Sequence, residues 1–199
     1  MFSKKNKKKG FTLIEMLIVI VIIGILAAAL IPRLSSARGR ANDVARKADL
    51  AQVAAALVSY QIDAGQFPII AGPLSLTGIG DKLMGAGMSS IPEDPTSNRA
   101  FSGISNINII GGQFGYTPIS KGGIPANGFV LMAGTETEGG SNWVASSSYG
   151  RIPTDYTSFE SIHICKTFTQ VSSANPVNHL NGECDYNKNN DQLRYIYLY

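Results

Sequence analysis

Residues 10–32 have the sequence GFTLIEMLIVIVIIGILAAALIP, and this stretch decides the organisation of the chain. Its apolar part, residues 11–31, contains one charged side chain, Glu15. As an α-helix at about 1.5 Å per residue, this part would extend over roughly 30 Å, the thickness of the hydrocarbon core of a bilayer. The stretch therefore predicts a membrane-spanning helix over residues 11–32.

Lysines before this helix indicate its orientation. They are Lys4, Lys5, Lys7, Lys8 and Lys9, with no acidic residue beside them. Such a cluster stays on the cytoplasmic side of a membrane, so the rest of the chain is expected to be extracytoplasmic. An ordinary signal peptide cleaved near Ala27–Ala29 is the alternative. The length of the apolar stretch, and the helical pattern that continues beyond it, favour a helix that stays in the membrane.

The charge balance and the absence of catalytic motifs exclude several classes of function. Residues 11–199 carry 12 basic and 14 acidic residues, although the full chain has a formal net charge of +3. We therefore expect no nucleic acid partner. The sequence has no G-x-S-x-G, H-E-x-x-H, Walker A or paired C-x-x-C motif, and His163 and His179 alone form no catalytic or metal-binding set. We predict that the chain is not an enzyme.

Small and apolar residues recur at helical spacing after Pro32 and predict an amphipathic second half of the helix over residues 33–64. They are Leu34, Ala37, Ala41, Val44, Ala45, Ala48, Ala51, Ala55 and Val58. Gly65 and Pro68 predict where the helix ends. The pattern therefore indicates one continuous helix of about 50 residues.

Glu15 lies one helical turn after Phe11, where a carboxylate costs free energy unless it is paired or functional. Cleavage between Gly10 and Phe11 would create an α-amino group that is mostly protonated at neutral pH. Glu15 could neutralise that amine within one chain, or pair with the amine of a neighbouring chain and set the axial register of a bundle. The alternative is that Glu15 extends to the water at the cytoplasmic interface.

The lysine-rich leader, Gly10, the sequence FTLIE at Phe11–Glu15 and the apolar run resemble the signal of type IV pilins and related pseudopilins. The resemblance covers residues 4–32. It implies that a prepilin peptidase removes the leader, residues 1–10, and N-methylates Phe11. It also implies that Glu15 contacts the Phe11 amine of an adjacent subunit during assembly. The implied partners are copies of this chain, other pilins, an inner-membrane assembly platform and the bilayer.

Gly24 and Pro32 fall where this family tends to have residues that soften the helix. Gly24 costs about 1 kcal/mol of helix propensity, and Pro32 removes a backbone hydrogen bond. We expect the segment between them to extend when a filament assembles. Ordinary tolerance of glycine and proline in membrane helices is the alternative.

The composition changes at residue 65, where the helical period ends and glycine, proline, serine, threonine and asparagine become frequent. Short apolar segments predict strands at Phe114–Ile119, Gly128–Ala133, Ser161–Val171 and Leu193–Tyr199. We therefore predict an α+β fold. In it, the second half of the long helix packs against a small antiparallel β-sheet of a globular head over residues 65–199, which is the architecture of pilins.

Parts of the head resemble pseudopilin G of type II secretion systems. The sequence YQIDAGQFP at Tyr60–Pro68 is similar to the helix exit of that subfamily. Weaker similarities lie at Ile91–Pro95, Gly115–Pro118 and Gly128–Leu131. Residues 135–199 depart from the compact pseudopilin and look more like the variable C-terminal region of pili. We therefore expect a filament subunit, in a surface pilus or a periplasmic secretion pseudopilus. A membrane-anchored binding domain that does not polymerise is the alternative.

Two cysteines, Cys165 and Cys184, predict one disulfide in an exported domain, with free thiols as the alternative. Oxygen-bearing side chains after them could surround Ca²⁺, and pseudopilin G relatives carry a C-terminal calcium site. The candidate ligands are Asp185, Asn187, Asn189 and Asp191. The EF-hand pattern is absent, so a solvated turn before the last strand is the alternative interpretation.

A basic cluster follows the predicted span. It consists of Arg33, Arg38, Arg40, Arg46 and Lys47. Its position favours contact with lipid headgroups or pairing with acidic residues of neighbouring subunits. A role in DNA binding, as in uptake pili, is a third interpretation.

Overall fold

A computed structural model of the chain describes residues 10–69, 75–96, 101–104, 107–109, 112–121, 123–145, 165–170, 183–186 and 192–199. The chain forms two compact units, Met1–Arg38 and Gly39–Tyr199. One helix, α1 at Leu13–Ala64, begins in the first unit and ends in the second. Its length of 52 residues confirms the prediction of a single long helix.

The end of α1 follows from its sequence. Gly65 has a φ of +78°, a left-handed conformation that glycine adopts without a Cβ clash. Its N–H donates a hydrogen bond to the carbonyl oxygen of Gln61 at 2.8 Å. Pro68 cannot continue the helix, and Phe67 before it is fully buried. The exit therefore directs the chain straight into the core.

The second half of α1 buries one face in the globular unit. Leu50, Val53, Ala54 and Leu57 are spaced three, one and three residues apart, and each is at most 3% exposed. Most of the small residues that follow Pro32 lie on the exposed side: Ala37, Ala41, Val44, Ala45, Ala48, Ala51 and Ala55. This half thus carries two apolar stripes. The stripe with the larger side chains fills the core, since its burial removes more apolar surface from water.

Eight strands follow α1 in the described part of the chain. They are β1 Phe101–Ile104, β2 Ile107–Ile109, β3 Gly115–Lys121, β4 Ile124–Gly134, β5 Trp143–Ala145, β6 Thr167–Gln170, β7 Glu183–Tyr186 and β8 Gln192–Leu198. An antiparallel sheet has the strand order β3-β4-β8-β5. Strand β1 pairs with β2 antiparallel, and β6 pairs with β7 parallel.

This antiparallel sheet and the long helix confirm the predicted α+β fold. Strands β3, β4 and β8 coincide with the predicted strands Phe114–Ile119, Gly128–Ala133 and Leu193–Tyr199. Strand β6 lies within the predicted strand Ser161–Val171, of which residues 161–164 and 171 fall outside the described residues. Leu131 of β4 lies opposite Tyr116 of β3 on one side and Tyr197 of β8 on the other. Strand β4 is therefore central.

Short helical turns and aromatic rings complete the core. A 3-10 turn at Leu76–Ile79 and α2 at Gly80–Gly85 bury apolar side chains in it, and a second 3-10 turn at Glu138–Gly140 precedes β5. Phe67 meets Phe129 edge to face, with 4.8 Å between ring centroids. The Tyr116 hydroxyl donates to the carbonyl oxygen of Pro68 at 2.7 Å. These two contacts fix the segment after α1 against β3 and β4.

Candidate functional site

Thr12 and Glu15 close the N-terminus of α1. The Thr12 N–H donates to Glu15 Oε2 at 2.7 Å, and the Thr12 hydroxyl donates to the same oxygen at 2.6 Å. In return, the Glu15 N–H donates to Thr12 Oγ1 at 3.3 Å. This reciprocal arrangement is a capping box, with Thr12 at the N-cap and Glu15 three residues later. The T-x-x-E spacing at Thr12–Glu15 is visible in the sequence and predicts such a cap. The interpretation of Glu15 as an ionic partner left this signal out.

The first half of α1 exposes an apolar surface on all sides. Every large apolar side chain from Phe11 to Leu34 is at least 45% exposed. Among the described residues, α1 is the one helix long and apolar enough to cross a membrane. A surface of this kind requires lipid or other apolar surfaces to cover it.

The predicted processing and softening positions lie in this same segment. Gly10 and Phe11, on either side of the predicted cleavage point, are both exposed. The helix runs without interruption through Gly24 and Pro32. Apart from its chain neighbours and the surrounding helix backbone, no atom lies within 4 Å of the position that a Cβ on Gly24 would take. Cleavage before Phe11 and extension between Gly24 and Pro32 stay predictions.

A buried ionic cluster lies around Arg46 in the second half of α1, and the sequence did not predict it. Arg46 is fully buried and donates from Nε to Asp94 Oδ2 at 2.9 Å and from Nη2 to Asp94 Oδ1 at 2.8 Å. Its Nη1 donates to Asp43 Oδ1 at 2.8 Å, and its Nη2 also donates to Glu136 Oε1 at 2.9 Å. We call Arg46, Asp43, Asp94 and Glu136 the Arg46 cluster. One guanidinium thereby joins α1 to the two loops that hold Asp94 and Glu136.

Asp43 also holds the turn that begins at Glu136. Its Oδ1 accepts the Glu136 N–H and its Oδ2 the Thr137 N–H, each at 2.9 Å. The Thr137 hydroxyl donates a further hydrogen bond to Oδ2 at 2.7 Å. Gly140 approaches so closely that a Cβ at this position would overlap the Asp43 carboxylate. A side chain at position 140 would therefore force the turn or the Asp43 carboxylate to move.

The Arg46 cluster combines one cation with three acidic side chains. Burial alone would lower the pKa of Arg46, but its hydrogen bonds to Asp94 and Glu136 outweigh burial and raise that pKa above its usual value. Arg46 therefore stays charged wherever the fold is intact. Burial, and to a smaller extent the charge of Asp94, raises the pKa of Asp49 above its usual value. The negative charge of the cluster's carboxylates is thus felt at Asp49 as well.

The basic residues after Pro32 do not form a single group. Arg33, Arg38 and Arg40 are exposed, whereas Arg46 is buried and paired inside the fold. The interpretation of Arg46 as a residue that meets lipid or a neighbouring chain is therefore wrong. Arg46 differs from the exposed arginines because it pairs with Asp94 and Glu136. These partners lie 48 and 90 positions further along the chain.

The two cysteines lie on neighbouring segments. Cys165 is buried and precedes β6, and Cys184 lies in β7. Strands β6 and β7 pair with Phe168 opposite Cys184. This pairing is compatible with the disulfide, which stays a prediction.

The candidate calcium site lies mostly beyond the described residues. Asp185 is part of β7, whereas Asn187, Asn189 and Asp191 fall outside, as do His163 and His179. Within the described ranges, no group of three or more His, Cys, Asp or Glu side chains could hold a metal ion. Calcium binding at this place therefore stays a prediction.

Comparison with known proteins connects these features to a family. The family model described as the prokaryotic N-terminal methylation motif matches residues 5–31. The type IV wide pilus major component PilA4 of Thermus thermophilus is 39% identical over 109 residues, which are 55% of this chain and 76% of that protein. No solved structure matches the chain.

Proteins of type II secretion systems are also similar. The core protein G of Pseudomonas aeruginosa is 40% identical over 65 residues, 33% of this chain and 46% of that protein. The core protein G of Aeromonas hydrophila is 28% identical over 148 residues, 70% of this chain and 95% of that protein. These relatives are structural components, and the chain is not an enzyme. It belongs to the family of type IV pilins and type II secretion pseudopilins.

Proposed function

We propose that this chain is a structural subunit of a helical filament that assembles from the inner membrane. The observation that carries the proposal is α1, whose first half exposes apolar side chains on every side in a chain of the pilin family. In lipid, such a helix has no water-driven reason to associate. Once extracted from lipid, the helix must bury its apolar surface against other helices. The span of an unassembled subunit is therefore solvated by lipid, and in the filament it packs against the spans of other subunits.

Removal of the leader prepares the subunit for assembly. The lysines of residues 1–10 hold the N-terminus on the cytoplasmic side, and a prepilin peptidase cuts after Gly10. The new amine of Phe11 is then methylated, which the match to the N-terminal methylation motif supports. In the filament, Glu15 of one subunit pairs with the Phe11 amine of its neighbour and sets their axial register.

Mass spectrometry of the protein purified from membranes tests this processing. The mature chain should lack residues 1–10 and carry one added methyl group on Phe11. Gly10→Val should leave the leader in place, whereas Gly24→Val, the same substitution within the span, should be processed normally. An intact wild-type leader, or an N-terminus after Ala29, would reject the processing step.

The first candidate for the filament is a type IV pilus, and the second is a secretion pseudopilus. The pilus is favoured by the 39% identity to the Thermus pilus component. The pseudopilus is favoured by the Aeromonas core protein G, of which the chain covers 95%, and by the helix exit at Tyr60–Pro68.

Deletion of the gene, followed by two assays, separates these candidates. Loss of surface filaments with intact protein secretion indicates a pilus, and trapped exported proteins with unchanged surface filaments indicate a pseudopilus. Neither phenotype, together with a purified protein that stays monomeric after detergent removal, would reject the filament proposal. The chain would then be a membrane-anchored binding domain.

A further inference from the structure

Arg33 and Arg38 lie on α1 immediately beyond the apolar span, and both are exposed. Arg46, further along the same helix, is fully buried and meets three carboxylates. Those three contacts are the salt bridges seen in the described residues, and neither Arg33 nor Arg38 takes part in one. Two guanidinium groups beside the span are thus left without an acidic partner from the described part of the chain.

The sequence around these arginines carries charge of one sign. Between Glu15 and Asp43 there is no acidic residue, and there are three arginines, Arg33, Arg38 and Arg40. Basic residues beside a membrane span are depleted on the side away from the cytoplasm. Their presence on the extracytoplasmic side therefore calls for an anionic partner close to the membrane.

Helix geometry places Arg33 and Arg38 near the lipid phosphates. At about 1.5 Å per residue, they lie roughly 3 Å and roughly 10 Å beyond Ile31, the last residue of the apolar span. Side chains on an α-helix lean towards its N-terminus, which here is the direction back to the membrane. Because the arginine side chain is long, the guanidinium of Arg38 can extend back towards the membrane. It thereby also reaches the headgroup layer, which is roughly 5–7 Å thick.

We propose that Arg33 and Arg38 bind the phosphates of anionic phospholipids in the outer leaflet of the inner membrane. Arginine suits this partner because its planar guanidinium donates paired hydrogen bonds to phosphate oxygens. The proposal rests on membrane storage of the subunit, as proposed above. Once the leader lysines are removed, these two arginines fix the depth at which the span lies in the bilayer.

Titration of the full chain in detergent micelles tests this contact. Short-chain phosphatidylglycerol is the anionic probe, phosphatidylcholine of the same chain length is the neutral one, and inorganic phosphate is added as a competitor. Native mass spectrometry measures the fraction of protein that carries added lipid. A basic residue near an anionic surface changes affinity about 5-fold, so joint Arg33→Gln and Arg38→Gln should weaken phosphatidylglycerol binding about 30-fold.

Matched controls separate a lipid site from general charge effects. The double variant should lose much less phosphatidylcholine binding than phosphatidylglycerol binding, because the choline cation offsets the charge of that lipid's phosphate. It should keep its melting temperature, because both arginines are exposed. Lys166→Gln, which removes the same charge from an exposed residue just before β6, should bind phosphatidylglycerol as the wild type does. An equal loss in Lys166→Gln, or equal affinities of the wild type and the double variant, overturns the proposal.

Two further outcomes would assign the arginines to another partner. Displacement of phosphatidylglycerol by an equal concentration of inorganic phosphate would make free phosphate the ligand. A double variant that loses filaments while its lipid preference is intact would make acidic residues of a neighbouring copy the partner. The titration uses monomers in micelles, so a failure of the filament proposal leaves its result unchanged.

Discussion

Arg46 and Asp94 lie 48 residues apart in the sequence and are joined by two hydrogen bonds, of 2.8 and 2.9 Å. Thr96 supports both partners: its N–H donates to Asp94 Oδ1 at 2.8 Å, and its hydroxyl accepts from Arg46 Nη2 at 2.6 Å. The free energy that both charged groups lose when they leave water offsets much of their electrostatic attraction. We therefore expect this pair to fix the Asp94 loop on α1 more than to add net stability.

Removal of the guanidinium should nevertheless destabilise the head strongly. Arg46→Met leaves the buried carboxylates of Asp43 and Asp94, and the partly buried one of Glu136, without their cation. Loss of one partner from a buried pair costs about 3–5 kcal/mol. Arg46→Lys should be intermediate, because one ammonium cannot replace the fork that serves Asp94 from two nitrogens. Urea unfolding of the detergent-solubilised chain, followed by circular dichroism, measures these differences.

Arg40→Met is the control for that experiment. Arg40 lies on the same helix but is exposed, so its substitution should change the free energy of unfolding by about 0.5 kcal/mol at most. Equal stabilities of Arg46→Met and Arg40→Met would contradict a structural role of the Arg46 cluster.

Two adjacent glycines give a second test of the geometry around Asp43. Gly140→Ala places a Cβ where the Asp43 carboxylate lies, so the turn must move, at a cost of about 1–3 kcal/mol. In Gly139→Ala the new Cβ has no atom within 4 Å apart from those of its chain neighbours, so this substitution should be nearly neutral. Thermal melts of both variants check this, and equal melting temperatures would show that the turn does not depend on Asp43.

Asp49→Asn should stabilise the fold in a pH-dependent way. Burial raises the pKa of Asp49 above its usual value of 3.8, so the folded chain binds its proton more tightly than the unfolded chain does. The wild type therefore loses stability as the pH rises through the folded-state pKa. Asparagine removes this loss, and we expect a gain of roughly 0.5 kcal/mol or less at pH 7, since solvent screens the group.

Measurement of Asp49→Asn at two pH values isolates the charge. At pH 3, below the usual pKa, the aspartate is protonated in both the folded and the unfolded chain, so the gain should vanish. A gain of equal size at pH 3 and pH 7 would attribute the effect to helix propensity rather than to the buried charge.

The sequence predicted those parts of the fold that depend on local patterns. Hydropathy and helical spacing located α1, Gly65 and Pro68 located its end, and short apolar segments located β3, β4 and β8. Local charge grouped Arg46 with the exposed arginines, because its partners come from distant loops that only the folded chain brings together. The second half of α1 carries two apolar stripes, and the sequence alone did not show which of them the sheet would cover. The Thr12 cap was a local signal that could have been used.

The predicted disulfide can be tested through the stability of the head. Cys165 and Cys184 enclose a loop whose closure contributes about 3 kcal/mol in the chain-entropy model. Cys165→Ser and Cys184→Ser should each lower the free energy of unfolding by about that amount, and the double variant should lose no more than either single one. Thiol labelling of the unfolded, unreduced exported protein should be negative, and two reactive thiols would contradict the bond.

Glu15 caps α1 and is also the proposed partner of the Phe11 amine, and two substitutions separate these roles. Glu15→Gln keeps an oxygen that can accept the Thr12 N–H but loses the charge, whereas Glu15→Val loses both. Loss of a charge favours residence in lipid, so both variants should insert into the membrane as the wild type does.

If the amine of a neighbouring Phe11 requires the carboxylate, both Glu15 variants should assemble poorly, with filament yields reduced about 10-fold or more, as loss of about 1.4 kcal/mol would cause. Thr12→Val is the matched control, because it removes the capping hydroxyl at a cost of about 1 kcal/mol and keeps the carboxylate. It should assemble nearly normally. Sheared filaments and membrane fractions, quantified by immunoblot with each variant as the sole copy, measure yield and insertion. Normal yield from Glu15→Gln would show that the cap suffices, and the ionic register pair would then be wrong.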